Sequence, residues 1–252
     1  RPLAKVVVFD GAQVVQHLAL GLQGQGGHRL AVGEEGERAK RAALGRGLEG
    51  HRLHRATVGR AVAAQPGTIA ALDILPEYTA RILGDCRISR PLKIVVDSGN
   101  GIPGASAPGI LKAMGCEVID LYSRVDGDFP NHHPDPTKRE NLVKLIDTVI
   151  KEGADLGVGF DGDSDRIGVV DDKGEVIWGD RLMALYWREI LPKHQGAVAI
   201  CEVKSSMALP EEVEKLGGKP IWWNSGHSLV KAKMREEHAL FSGEVSGHMF
   251  FA

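Results

Sequence analysis

The chain has 252 residues, 43% of them apolar and 25% charged, which is length enough for one large or two ordinary domains with a buried core. A formal net charge of −2 gives no general attraction to nucleic acid or to an anionic membrane, so any anion must be held by a local site. Three scattered cysteines suit neither a disulfide framework nor a zinc site, and no apolar run reaches the roughly 18 residues of a membrane span. The chain therefore reads as soluble and cytoplasmic, with no nucleic-acid or membrane partner.

Residues 1–72 are compositionally unusual. Before residue 71 there is no Ser, Asn, Cys, Met, Trp or Tyr, and glycines recur throughout. A strand over "AKVVVF" and a short helix over "EEGERAKRAAL" are the only patterned stretches, and so many glycines weaken both. The segment is read as disordered or as the product of a frameshift.

From residue 73 the pattern becomes regular. A linker helix occupies 73–88. A first α/β domain, 89–177, then runs through strand "PLKIVVD", a turn and helix, strand "CEVIDLY", the polar loop "SRVDGDFPNHHPDPT" and a helix over 138–153. Strand "ADLGVGF" and the hairpin "IGVVDDKGEVIW", turning at Asp172, Lys173 and Gly174, complete it. A second, truncated α/β domain, 178–252, repeats the layout: helix 179–191, strand "AVAICEV", helix "LPEEVEKLG", strand "KPIWW", helix 227–237 and strand "HALFSG". This alternation predicts consecutive open mixed, mostly parallel sheets with flanking helices, their ligand sites at the carboxyl ends of strands.

Four features carry chemistry. In "VVDSGNGIPG", Gly99, Gly101 and Gly104 follow a strand and precede a helix, and Asp120 ends the next strand, so a dinucleotide-binding oxidoreductase is one reading. In "GFDGDSDR", Asp161, Asp163 and Asp165 alternate before Arg166, between two apolar runs. Calcium in an EF-hand loop would require Gly where Arg166 stands and helices where strands flank the motif. Three carboxylates with coordination positions to spare suit Mg²⁺ with a phosphorylated ligand, which the adjacent Arg could also bind. In "FSGEVSGHMFF", Glu244, Ser246 and His248 offer donors and acceptors for sugar hydroxyls; a Ser/His/Glu hydrolase triad is disfavoured because no G-x-S-x-G elbow surrounds Ser246. Lys204, and His227 with Lys231, follow strand ends on the side where ligands collect.

Together and in this order, "VDSGNGIPG", "PNHHPDPTKRENL", "GFDGDSDR", "WNSGHSLVK" and "GEVSGH" resemble the α-D-phosphohexomutase family, most closely its bacterial phosphomannomutase/phosphoglucomutase branch. The likeness covers about residues 73–252. It implies a hexose phosphate ligand, mannose or glucose phosphate, interconverted between 1-phosphate and 6-phosphate through a phosphoserine and a bisphosphorylated sugar. Mg²⁺ would sit on Asp161, Asp163 and Asp165. Arg166 would contact phosphate, Lys204 and His227 would act in the cleft as charge or proton-transfer groups, and Glu244, Ser246 and His248 would bind the sugar. The glycine turn would be structural. The family's serine loop has no counterpart, because no serine precedes Ser89, and the phosphate-binding fourth domain would have to follow residue 252. The chain is accordingly expected to be an incomplete copy without turnover.

Overall fold

The computed structural model describes residues 72–252. The strand and helix expected within residues 1–70 lie outside the described residues. Helix α1 (Leu75–Asp85) comes first, and its Ile82, with Cys86 just beyond, is buried in the main core.

Five strands form the first sheet: β1 (Lys93–Asp97), β2 (Glu117–Leu121), β3 (Leu156–Phe160), β4 (Ile167–Asp171) and β5 (Val176–Ile177), in the order β2-β1-β3-β4-β5. β1 pairs in parallel with β2 and β3, and β4 returns antiparallel to β3. Central strands covered on both faces need apolar interiors, which Ile94, Val95 and Val96 of β1 and the whole of "LGVGF" in β3 provide, Lys93 and Asp97 standing at the ends of β1. Helix α2 (Ala107–Ala113) follows a 3₁₀ turn over Ile102–Ala105. Helix α3 (Val143–Glu152) covers the sheet with Leu145, Ile146 and Val149, one stripe at i, i+1 and i+4. A Cβ on Gly157 would lie 2.7 Å from Val149 Cγ2 and 2.8 Å from Leu145 Cδ1, so the glycine in β3 is what lets the helix approach so closely. The helix predicted from residue 138 begins as a 3₁₀ turn over Arg139–Leu142 and becomes α-helical at Val143.

Helix α4 (Gly179–Ile190) leads into the second sheet of β6 (Val198–Glu202), β7 (Lys219–Trp223), β8 (Phe241–Gly243) and β9 (Met249–Phe251), ordered β7-β6-β8-β9. Helices α5 (Ala208–Lys215) and α6 (His227–Glu237) flank it. The strand predicted from residue 238 starts at Phe241 instead, because His238, at φ 53°, closes α6 in a left-handed turn.

Both sheets have the same connectivity. The first strand in sequence is central, the second lies on one side, the third crosses to the other, and the fourth returns antiparallel. α4 joins them through one continuous core, in which Leu182, Met183, Tyr186 and Trp187 share a cluster with Val96, Phe160 and Ile167 of the first sheet and Phe241 and Met249 of the second. Phe241 packs on Tyr186 and Phe251 at ring separations of 5.0 and 4.5 Å.

Candidate active site

In a sheet whose successive connections leave in opposite directions, a crevice opens at the carboxyl ends of the strands at the switch point. The first sheet switches between β1 and β3, where Asp97 ends β1 and Asp161 follows β3. The second switches between β6 and β8, where Glu202 ends β6 and Glu244 follows β8. Four acids thus stand at equivalent places in two repeats of one connectivity.

The loop after β3 turns tightly, with Ser164 N–H donating to the Asp161 carbonyl at 3.2 Å and Ser164 held at φ 68°. One carboxylate oxygen from each of Asp161, Asp163 and Asp165 lies within 4.8 Å of the others, with Asp161 buried and Asp163 exposed. Burial first, then Asp165 and Asp163, push the Asp161 carboxyl up to about 7, against the opposing hydrogen bond from Arg166 N–H. Three clustered carboxylates with one buried are unfavourable as anions unless a cation offsets them, and an all-oxygen donor set suits a hard divalent ion. Arg166 Nε lies 3.8 Å from both Asp161 Oδ2 and Asp165 Oδ1.

The predicted glycine turn is closed by this chain's own backbone. A Cβ on Gly101 would stand 2.7 Å from the Gly162 carbonyl oxygen, and one on Gly104 would stand 2.0 Å from that of Ser123. Pro134 covers Gly99 in the same way. Ile102 N–H donates to the Gly162 carbonyl at 3.0 Å, which ties the turn to the aspartate loop. The close approach that a pyrophosphate would need is therefore taken up internally, and Asp120 is exposed on β2.

The loop after β8 docks onto the loop after β3. Ile167 N–H donates to the Gly247 carbonyl at 3.3 Å, and His248 Nε2 lies 3.1 Å from Asp165 Oδ2 and 3.4 Å from Arg166 Nε. His248 Nδ1 faces Glu244 Oε2 at 2.8 Å and Ser246 Oγ at 3.0 Å. A hydrolase triad needs serine and acid on opposite ring nitrogens, and here both address Nδ1 while the other nitrogen faces the aspartate loop. The arrangement joins the loop after β3 to the loop after β8 instead.

Lys204 Nζ lies 2.9 Å from Glu202 Oε1 and is otherwise largely exposed. His227 is exposed at the first residue of α6, beside Gly226, whose N–H donates to Glu244 Oε1 at 2.6 Å. Lys231 stands over the Phe250 ring at 4.9 Å.

Sequence reasoning passed over Glu202, Asp97 and His132. Both Asp97 oxygens lie 3.1 Å from His132 Nε2, and this hydrogen bond, opposed by burial, holds the imidazole above its ordinary range. Glu202 is fully buried. Burial is the largest influence on it and acts upward, yet Ser225, the Val245 N–H and Lys204 together outweigh it and keep the carboxyl below its ordinary range. For the two acids a signal was present: each directly follows an apolar run, "IVV" before Asp97 and "VAIC" before Glu202.

Comparison with known proteins agrees with this architecture. Family models for phosphoglucomutase/phosphomannomutase match in two pieces, alpha/beta/alpha domain II over residues 76–174 and alpha/beta/alpha domain III over 178–252. A phosphomannomutase/phosphoglucomutase of Pseudomonas aeruginosa is 48% identical over 190 residues, which is 75% of this chain and 41% of that protein. A phosphoglucomutase of Neisseria meningitidis is 42% identical over 193 residues, covering 77% of this chain and 42% of its own length. A crystal structure of a phosphoglucomutase/phosphomannomutase family protein from Burkholderia thailandensis superposes with a TM-score of 0.69 at 47% identity, over 71% of this chain and 39% of that one. The chain thus spans about two fifths of the length of the curated relatives it matches. Two adjoining domain matches, in order and together covering most of the described residues, leave one conclusion: the chain belongs to the phosphoglucomutase/phosphomannomutase family and carries its domains II and III.

Proposed function

We propose that this chain supplies the metal-binding and sugar-binding parts of a phosphohexomutase that interconverts hexose 1-phosphate and 6-phosphate, with mannose or glucose phosphate as substrate. The observation that carries the reading is the contact of His248 with both Asp165 and Glu244, which joins a three-carboxylate cluster to a loop of sugar-type donors and acceptors. Asp161, Asp163 and Asp165 would hold Mg²⁺, which when bound offsets their charge and draws electron density from a transferring phosphoryl group. Arg166 contributes positive charge and directional donors for phosphate. Glu244, Ser246 and His248 hydrogen-bond sugar hydroxyls. Lys204 and His227, both solvent-facing at the mouth of the second-sheet loops, assist as charge or proton-transfer groups.

Phosphoryl transfer in this family resemblance starts from a phosphoserine, and residues 1–88 contain no serine. The chain by itself is therefore expected to bind ligand without turnover, since positioned donor and pre-arranged charge are most of what a protein contributes to this chemistry. Titration with Mn²⁺ followed by water-proton relaxation tests the metal assignment: Asp163→Asn should weaken binding at least tenfold, and equal affinity would remove the site. A coupled assay for glucose 6-phosphate from glucose 1-phosphate, with the bisphosphate present, should stay at background; turnover abolished by Asp163→Asn would mean that another group in the chain carries the phosphoryl. A dinucleotide reading would instead require NAD to raise the melting temperature.

A further inference from the structure

A carboxylate with no solvent exposure is costly unless every part of its charge is answered, so its partners say what it is retained for. Glu202 is such a group, at the carboxyl end of the central strand of the second sheet. Its Oε2 accepts a hydrogen bond from Val245 N–H at 2.7 Å, in the loop after β8. Its Oε1 pairs with Lys204 Nζ at 2.9 Å, in the loop after β6. Ser225, in the loop after β7, lies near enough to help hold the carboxylate charged. One side chain therefore ties the loops after β6 and β8 together directly and stands beside the loop after β7.

These loops carry the residues assigned above to the ligand: Lys204 on the first, His227 just after the second, and Glu244, Ser246 and His248 on the third. Two further contacts make the brace mutual. Glu244 Oε1 accepts from Gly226 N–H at 2.6 Å, linking the second and third loops. Asp180, at the start of α4, accepts from Ser206 N–H at 3.0 Å and so fixes the far end of the first loop to the helix. Among the described residues, Glu202 joins the first and third loops and Glu244 joins the third to the second, and nothing in the sugar-binding assignment uses Glu202.

We propose that Glu202 is the positioning residue that, through its own grip on two of the loops and the Glu244–Gly226 link to the other, holds the three ligand-bearing loops of the second sheet in mutual register and aims Lys204 across them. It does not itself touch substrate, being closed off from solvent. The identity of the ligand rests on the mutase reading; the bracing role does not. Lys204 is otherwise a long, exposed side chain whose ordering would have to be met from its ligand contacts, and the buried carboxylate settles that orientation beforehand.

The test compares the wild-type chain with Glu202→Gln, which preserves shape but removes the charge, and Glu202→Asp, which keeps the charge but shortens its reach. Thermal melting serves as the fold control. Amide exchange in Glu202→Gln should rise at least fivefold across 203–206, 224–227 and 244–248 while β6 and β8 stay protected. Lys204 should react with an amine-modifying reagent at least threefold faster at neutral pH once its anionic partner is gone. Weaker binding of glucose 1-phosphate in the presence of Mn²⁺, by at least fivefold, should accompany both changes. Unchanged exchange and labelling in a folded Glu202→Gln overturns the proposal, as does faster exchange spread evenly over the whole second sheet, which a purely structural role would give. If neither variant folds, the wild-type chain decides: a Val245 amide exchanging as fast as an unstructured peptide overturns the brace. A wild-type chain that leaves glucose 1-phosphate free at millimolar concentration counts against the mutase reading, and the exchange and labelling results still decide the role of Glu202.

Discussion

Gly247 is where the two halves of the candidate site meet, and its replacement by alanine is the sharpest perturbation the fold offers. The residue has φ +98°, and a Cβ there would stand 2.5 Å from the Ile167 carbonyl oxygen and 3.0 Å from the Ile167 nitrogen. All the nearest atoms are backbone, so no side chain can swing aside. The unfavourable φ costs about 1–3 kcal/mol for a non-glycine residue. Overpacking against a fixed neighbour costs about 1–3 kcal/mol more, for a total of about 2–6 kcal/mol. Against a total stability of about 5–15 kcal/mol that is a large share. The chain can escape part of it by letting the loop 244–248 move off the loop 161–166, but this breaks the His248 contact with Asp165. Gly247→Ala should therefore lower the urea midpoint, or weaken Mn²⁺ binding by disturbing Asp165, or both. Gly109→Ala is the matched control: it lies within α2 with nothing within 4 Å of an added Cβ, and should stabilise by about 0.5–1 kcal/mol. A Gly247→Ala chain with wild-type midpoint and wild-type Mn²⁺ affinity would show that the two loops do not dock as described.

Leu145→Ala removes a fully buried side chain from beneath α3 and should cost about 2–5 kcal/mol, read from the shift in denaturant midpoint. The Asp97–His132 pair makes a pH-dependent contribution: because the folded imidazole is held above its ordinary 6.5, this stability is fully present below that value and is lost as pH rises through the folded value. Melting temperature should accordingly fall with rising pH over that interval, and His132→Gln should flatten the slope; a variant with the same slope as wild type would assign it elsewhere.

The layout of both domains was legible because buried parallel strands need apolar interiors and their helices an apolar stripe, as "IVV" of β1, "LGVGF" of β3 and "LVKLIDTVI" show. The aspartate loop was legible because like charges between two strands need an explanation. Element ends were less so: the 3₁₀ start before α3 and the left-handed His238 after α6 are set by local backbone geometry that apolar spacing does not encode. Glycines 99, 101 and 104 were ambiguous for a related reason. A glycine that admits a ligand and one that admits another stretch of backbone look the same until the Gly162 carbonyl is seen 2.7 Å from where a Gly101 Cβ would be. Glu202 is harder to read: an acid closing the apolar run "VAIC" marks a strand end, but that signal does not tell a buried, partnered carboxylate from a solvated one.

The charges at the joined loops lead to a final prediction about order of binding. Asp161, Asp163, Asp165, Glu202 and Glu244 are five acids, answered among the residues described at the site by Arg166 and Lys204, with His248 between Asp165 and Glu244. Lys204 is already engaged by Glu202, and Arg166 lies within 3.8 Å of both Asp161 and Asp165. A phosphate dianion approaching this cluster therefore meets repulsion first. One uncompensated unit charge about 4 Å away costs about 4 kcal/mol at an effective dielectric constant near 20, and solvent and salt reduce this at the exposed Asp163 side. Even a third of it is worth about tenfold in affinity. Binding of glucose 1-phosphate should therefore be at least tenfold weaker in EDTA than with saturating Mn²⁺, and the difference should disappear in Asp163→Asn if that variant no longer holds the ion. Calorimetric titration at constant ionic strength measures both. Equal affinity with and without the cation would mean that the phosphate does not enter beside Asp161, Asp163 and Asp165, and that Arg166 answers these carboxylates without helping to bind phosphate.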